Sequence, residues 1–368
     1  MNRIRPRAVN RAATLVPTLA LLLAACTGSG TLHAGPATVA VDGLLEHVAF
    51  GSCLHQERPQ PILDVIDGEG ADLFLFLGDN VYGDVSDVDD PTLPELRAAY
   101  ARQAASAGLN RLRASTPVLA TWDDHDYGLN DAGAEFPGAA GARRLFAEFW
   151  GLDEDAFVDP DGIYASHTIG PPGRRVQVIL LDTRSFRSPL RPTDARGEPG
   201  RERYLPDPDP GKTLLGARQW AWLAETLREP AELRLLVTSI QLLAEGHGWE
   251  AWHTLPTERE RLFDVLAETG AEGVIVLSGD RHRAGIYRRD DVLPYPLLEV
   301  TSSALNMPVL NASEEAGPHR LGGTFTGTNY GRLDIDWAEG TVDLGIFDAG
   351  GFRVRAQRVT LAELRAGP

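Results

Sequence analysis

Leu73-Phe74-Leu75-Phe76-Leu77-Gly78-Asp79-Asn80-Val81-Tyr82 is an apolar run that stops at a glycine and hands over to a carboxylate, an amide and, three residues past the carboxylate, a phenol. Five apolar residues in succession read as a strand buried on both faces, not one alternating between core and solvent. The same punctuation recurs along the chain. Residues 48–53 run apolar into Gly51-Ser52-Cys53, and 117–121 end at Trp122-Asp123-Asp124-His125. Residues 176–181 end at Asp182-Thr183-Arg184, 233–238 at Ser239-Ile240-Gln241, and 273–277 at Ser278-Gly279-Asp280-Arg281-His282. Between the runs, residues 92–109, 138–150, 215–227 and 257–268 have helical patterning, the last opening on Thr257 with Glu260 three residues on, a capping-box signature. Residues 297–302 and 331–358 read as further strands, with turns at Glu339-Gly340 and Gly350-Gly351. Strands alternating with helices predict an α/β fold. Residues 187–213, rich in Pro, Gly and charge, read as a surface loop forming a rim or lid.

In open α/β sheets, ligands bind outside the carboxyl ends of the strands. Here those ends collect Cys53, Asp79, Tyr82, Asp123, Asp124, His125, Arg184, Gln241, Asp280 and His282. A single strand-end aspartate is an ordinary turn residue, whereas several segments that agree point to a site. Carboxylates suit hard cations, and thiolate, imidazole and phenolate suit transition metals. A pair of metals roughly 3.5–4 Å apart needs a bridging group. Asp79, first after its strand, is placed to bridge; Tyr82 returns to the same metal across a tight loop, and Cys53 adds a thiolate. Asp124 reads as a further ligand, and Asp280 and His282 as ligands on one side of an extended segment. Asp123 reads either as a ligand or as a partner orienting His125. His125 is expected to face substrate as general acid, and Arg184 to grip phosphate or pair with an acidic neighbour. Arg281 and Arg283 read as solvated or supporting side chains, and Asn130 as a further oxygen ligand.

The chain has 368 residues, 43% hydrophobic and 24% charged, with formal charge −17. With the four arginines of residues 1–25 set aside, that charge becomes −21, which argues against a nucleic-acid-binding surface. An anionic substrate must be held locally, by metals or a few arginines. Residues 1–25 combine Arg3, Arg5, Arg7 and Arg11 with an apolar run too short to span a bilayer comfortably. The run ends in Leu23-Ala24-Ala25-Cys26, which resembles a bacterial lipobox. That implies a signal peptide over 1–25, a lipid on Cys26 as the only membrane contact, a flexible tether over 26–43, and a catalytic domain over 44–368. Export with lipid anchoring, on the periplasmic or outer-membrane side, is the expected location. Cys53 is the other cysteine, so no disulfide framework is expected.

Gly78-Asp79-Asn80-Val81-Tyr82 resembles the GDxxY block of metallophosphoesterases, purple acid phosphatases and the PhoD-like (alkaline phosphatase D) group above all. Trp122-Asp123-Asp124-His125-Asp126 resembles the WDDHE block of that group, with Asp126 in place of Glu. Gly279-Asp280-Arg281-His282 resembles its GDxH block, and Leu181-Asp182-Thr183-Arg184-Ser185-Phe186-Arg187 its LDTRxxR segment. Phe50-Gly51-Ser52-Cys53 is similar to its first-strand block, and Trp249-Glu250-Ala251-Trp252 with Arg259 to its WDGY…R segment. The ordered set runs from about Val48 to about Ser303. The resemblance implies an α/β/β/α sandwich with two mixed sheets flanked by helices, and Fe(III) with Ca²⁺ as cofactors, other divalent metals being open. It implies Cys53, Asp79, Tyr82, Asp124, Asp280 and His282 as ligands, His125 and Asp123 as catalytic, and Arg184 and Asn80 as substrate-binding. The function implied is hydrolysis of small phosphate esters, mono- or diester, by a metal-bound hydroxide. Two alternatives share these residues: a phospholipase-type phosphodiesterase and a non-catalytic phosphate-binding surface lipoprotein.

Overall fold

The computed structural model describes residues 43–367 except 154–156, 311, 313 and 316. The expected leader, Cys26 and the tether up to residue 42 lie outside the described residues. In chain order the elements are β1 (His47–Gly51), α1 (Ile62–Gly68), β2 (Leu73–Leu77), α2 (Pro94–Ala104), α3 (Ala107–Ser115), β3 (Val118–Thr121), α4 (Asp124–Tyr127), α5 (Ala139–Trp150), β4 (Ala165–Ile169) and β5 (Val176–Leu180). There follow β6 (Arg191–Pro192), β7 (Tyr204–Leu205), α6 (Gly216–Thr226), β8 (Leu233–Thr238), α7 (Pro256–Thr269), β9 (Val274–Ser278), β10 (Ala284–Arg289), β11 (Leu297–Ser302), β12 (Asn329–Asp336), β13 (Thr341–Asp348) and β14 (Arg353–Thr360).

Two six-stranded mixed sheets carry the fold, in the orders β14-β13-β12-β1-β2-β3 and β10-β11-β9-β8-β5-β4. Strand alternation sorts the apolar runs into layers. In β2, Leu73, Leu75 and Leu77 pack between the sheets with Val178, Leu180, Val237, Leu277 and Leu333. Phe74 and Phe76 face outward to a second core with Leu63, Tyr100 and Phe146. On the far side, Ile179, Leu236 and Val276 meet Leu223, Leu262 and Leu266. Helices thus cover both outer faces, as the expected α/β/β/α sandwich requires.

The parallel pairs β1–β2, β2–β3, β5–β8 and β8–β9 point the carboxyl ends of their strands in a common direction within each sheet. A parallel bridge between Ser52 and Ser303 joins the two sheets beside those ends.

Three local expectations are corrected. Residues 92–109 form two helices because Ser106 caps the second, its Oγ accepting from Leu109 N at 3.3 Å. The capping box at Thr257 is absent: Pro256 opens α7, and the Thr257 hydroxyl donates to Pro208 O instead. The strands β4 and β10 were not anticipated; β4 is an antiparallel edge strand with a half-exposed polar sequence.

Candidate metal centre

At the carboxyl end of β2, Gly78 sits at φ +105°, where an added Cβ would lie 2.6 Å from Asp123 Cβ. Glycine therefore lets the turn after β2 press against the turn after β3. Asp126 fastens the two turns, accepting from Asn80 N at 3.0 Å and Asp123 N at 2.5 Å. Cys53, Asp79, Asp131, Asp280 and His282 all adopt the left-handed backbone conformation that non-glycine residues avoid. Such conformations persist where surrounding structure holds them, commonly at functional sites.

These turns bring ligand atoms together in three groups, each with its atoms within 4.8 Å of one another: Cys53, Asp79 and His282; Asp79, Asp124 and His125; and Asp124, Asp131 and Glu250. Asp79 belongs to two of them. Cys53 Sγ lies 3.3 Å from Asp79 Oδ2, and Tyr82 OH lies 3.2 Å from the same oxygen and 3.0 Å from His282 Nε2. Ser303 Oγ sits 3.1 Å from Cys53 Sγ and accepts from His282 N at 2.7 Å, so one hydroxyl positions both. Asp124 accepts from His125 N and Asp131 N. His125 Nδ1 lies 2.6 Å from Asp84 Oδ2. The Tyr82 ring stacks on His55 and tilts against His125. A cavity of about 290 Å³ opens on Asp79, Asp124, His125, Asp280 and His282, and is walled by Arg203, Trp249, Arg281, Arg283 and Val309. A more open groove beside Arg58, Arg102 and Arg111 contains none of the expected ligands.

Burial raises the Asp79 carboxyl well above its usual range, and the neighbouring Cys53 and Asp124 add to this. Burial also pushes the Cys53 thiol up to about 11 and Tyr82 well above its usual value. Asp280 is driven up to about 8, chiefly by burial. Burial works against the charged form of His125, but Asp124, Asp79 and Asp84 outweigh it and push the imidazole up to about 11. Buried acids crowded at this density resist ionisation until positive charge arrives. The donor chemistry fits: thiol, phenol, imidazole and carboxylate on one side of Asp79, and the Asp124 carboxylate on the other, with His125 beside it. The residues present can hold metal ions.

Four expectations meet different geometry. Arg184 takes the second of its two expected roles, pairing with acidic neighbours, and as a fully buried side chain cannot reach a phosphate: its Nε donates to Asp123 Oδ1 at 2.7 Å and its Nη1 to Glu250 Oε2 at 2.7 Å. Asp123, also fully buried, is held by Arg184 and by the Ser239 hydroxyl, so it neither faces substrate nor orients His125. Asn80 has no donor to offer phosphate, because its Nδ2 is committed to Thr121 O and Asp126 Oδ2. Asp280 lines the cavity but stands outside the three ligand groups, and it and His282 lie in a tight left-handed turn instead of an extended segment. Sequence reasoning missed Asp84, Asp131, Glu250 and Ser303. Asp131 adjoins the anticipated Asn130, and Glu250 lies in the segment similar to WDGY; nothing in the sequence marks Ser303.

Two mixed sheets sandwiched by helices, with a metal-competent ligand set at their strand ends, define a metallophosphoesterase-like protein. The PhoD-like phosphatase model matches residues 49–330, and the chain belongs to that family. Alkaline phosphatase D of Bacillus subtilis (strain 168) is 27% identical over 272 residues, 64% of this chain and 45% of that protein. The chain thus spans less than half the length of that relative. A solved structure of PhoD superposes with TM-score 0.66 at 20% identity, over 90% of this chain and 75% of that one. Purple acid phosphatase PPD1 from yellow lupin seeds superposes with TM-score 0.57 at 9% identity, over 89% and 55%.

Proposed function

We propose that this protein is a metal-dependent phosphoric ester hydrolase, alkaline phosphatase D-like, acting on small phosphate esters. The observation that carries this reading is Asp79: one buried carboxylate belongs both to the thiol–imidazole group and to the carboxylate–imidazole group. A carboxylate so placed suits two adjacent cations that share it. Cys53, Tyr82 and His282 with Asp79 suit Fe(III), and Asp79 with Asp124 suits Ca²⁺. Bound there, the cations supply Lewis acidity toward a phosphoryl oxygen and toward water.

The chain's own residues do the rest. Asp84 stands outside the ligand groups and holds Nδ1 of His125, leaving Nε2 as the atom that can protonate a departing alkoxide. Arg184, joined by Arg187 at 2.9 Å from Glu250 Oε1, fixes Asp123 and the Glu250 of the third ligand group. Trp249, Val309 and the arginines wall the cavity.

Phosphate release from a simple monoester, before and after chelation and metal restoration, tests the reading. Chelation should abolish turnover and restored metal should return it. Asp79→Asn should lower kcat by about a thousandfold or more, since metal polarisation supplies several kcal/mol of transition-state stabilisation, and should lose bound metal as well. Full activity in Asp79→Asn would refute the assignment. Comparing kcat/KM for a monoester with that for a bis-ester separates phosphatase from phosphodiesterase. A protein that loads metal but hydrolyses no ester would favour the phosphate-binding alternative. Export and lipid attachment at Cys26 complete the proposal; Cys26→Ala should abolish fatty-acid labelling, and labelling that persists would contradict it.

A further inference from the structure

We propose that Arg281 and Arg283 form an anion subsite for the leaving group, so that the preferred esters carry a second negative charge close to the phosphate. The inference rests on the hydrolase reading above and deepens it. Both side chains line the cavity that opens on Asp79, Asp124 and His282, and both are more than nine-tenths buried. Cations kept at that depth are costly unless an anion meets them. The protein supplies one of its own: Glu315 Oε1 lies 2.6 Å from Arg281 Nη2 and 3.4 Å from Arg283 Nη2. That carboxylate shows what the guanidinium pair accepts. Among the described residues Arg281 Nε is buried with no hydrogen-bond partner, so Arg281 has donor capacity beyond Glu315.

Trp249 indicates which leaving groups do not fit. The guanidinium groups of Arg203 and Arg281 lie over its indole, 5.1 and 5.3 Å from the ring centroid. Cations already cover the ring, so this wall recognises charge better than it stacks an aromatic or nucleobase leaving group. In a chain with formal charge −17, a local cationic wall also offsets the field that would repel a polyanionic ester. Glu315 then acts as a resident competitor that a substrate carboxylate or second phosphate displaces or joins.

Phosphoglycolate and ethyl phosphate differ by a carboxylate in place of a methyl group and serve as the probe pair. With metal-loaded protein, kcat/KM should favour phosphoglycolate by about tenfold or more, the scale of one charge-assisted contact. Arg281→Gln should bring the ratio close to unity, and Glu315→Gln should raise it by removing the competitor. A merely structural role would move the two variants in the same direction. A ratio that neither variant changes, in an enzyme that turns over both esters, overturns the inference. If neither ester is turned over and a bis-ester is not hydrolysed either, the hydrolase reading fails; in either case equilibrium binding of the same two compounds to the metal-loaded wild type and both variants then decides the inference, with equal affinities overturning it.

Discussion

Cys53 is an acid that the fold keeps protonated. Burial pushes its thiol from an ordinary 9.0 up to about 11, although Ser303 and Ser52 hydrogen bonds offset part of the effect. The folded state therefore holds a proton that the unfolded chain releases. Stability from this group is fully present below pH 9 and falls as pH rises toward 11. Urea unfolding of metal-free protein should show that decline, by about 3 kcal/mol at most, and Cys53→Ala should flatten it; identical pH profiles would contradict the account. Arg184 is the opposite case, a cation enclosed by Asp123 and Glu250. Arg184→Met leaves the buried Asp123 carboxylate without its cation and Glu250 with Arg187 alone, and should cost about 3–5 kcal/mol by denaturant titration. A loss under about 1 kcal/mol, the scale of an ordinary surface substitution, would contradict this role for the buried pair.

Elements matter here through where they end. Gly279 follows β9, and an added Cβ would lie 2.6 Å from Ser52 Oγ and 3.0 Å from Leu77 O. Gly279→Ala must therefore push apart the ends of β1, β2 and β9, which carry Cys53, Asp79 and His282. A destabilisation of about 1–3 kcal/mol, typical of overpacking, should accompany weakened metal retention, read by dialysis against chelator; unchanged retention would show that the strand ends do not set the ligand geometry. This explains what was legible in the sequence. Long apolar runs announced β2, β5, β8 and β9, and the polar residues straight after them announced Asp79, Tyr82, Asp124 and His282. The edge strand β4 gave no apolar run to read. Ser303, Asp131 and Glu250 take their roles from tertiary approach between segments far apart in sequence. Arg184 stayed open between two roles because a strand-end arginine reads the same whether it faces a cavity or a buried carboxylate pair.

At the scale of the whole molecule, the site lies at a seam. The two sheets share one core, in which Phe50, Leu75 and Leu344 meet Val178, Val237 and Val300, and the ligand turns hang from both. Cations that bind only the folded state stabilise it by mass action, and at this site they would also relieve the crowding that raises Asp79 beside Cys53 and Asp124. Chelation should lower Tm by several degrees, since each 1 kcal/mol shifts a large domain by about 2–4 °C. The Asp79→Asn protein should show a smaller drop because it begins without its full metal complement.

Elemental analysis of purified wild-type protein and Asp79→Asn, read beside the visible spectrum and phosphate release, tests the shared-carboxylate site most directly. The account predicts about two or more metal ions per wild-type chain, a tyrosinate-to-iron band that Tyr82→Phe removes, and loss of metal together with turnover in Asp79→Asn. Wild-type protein that releases phosphate while holding no metal would contradict it.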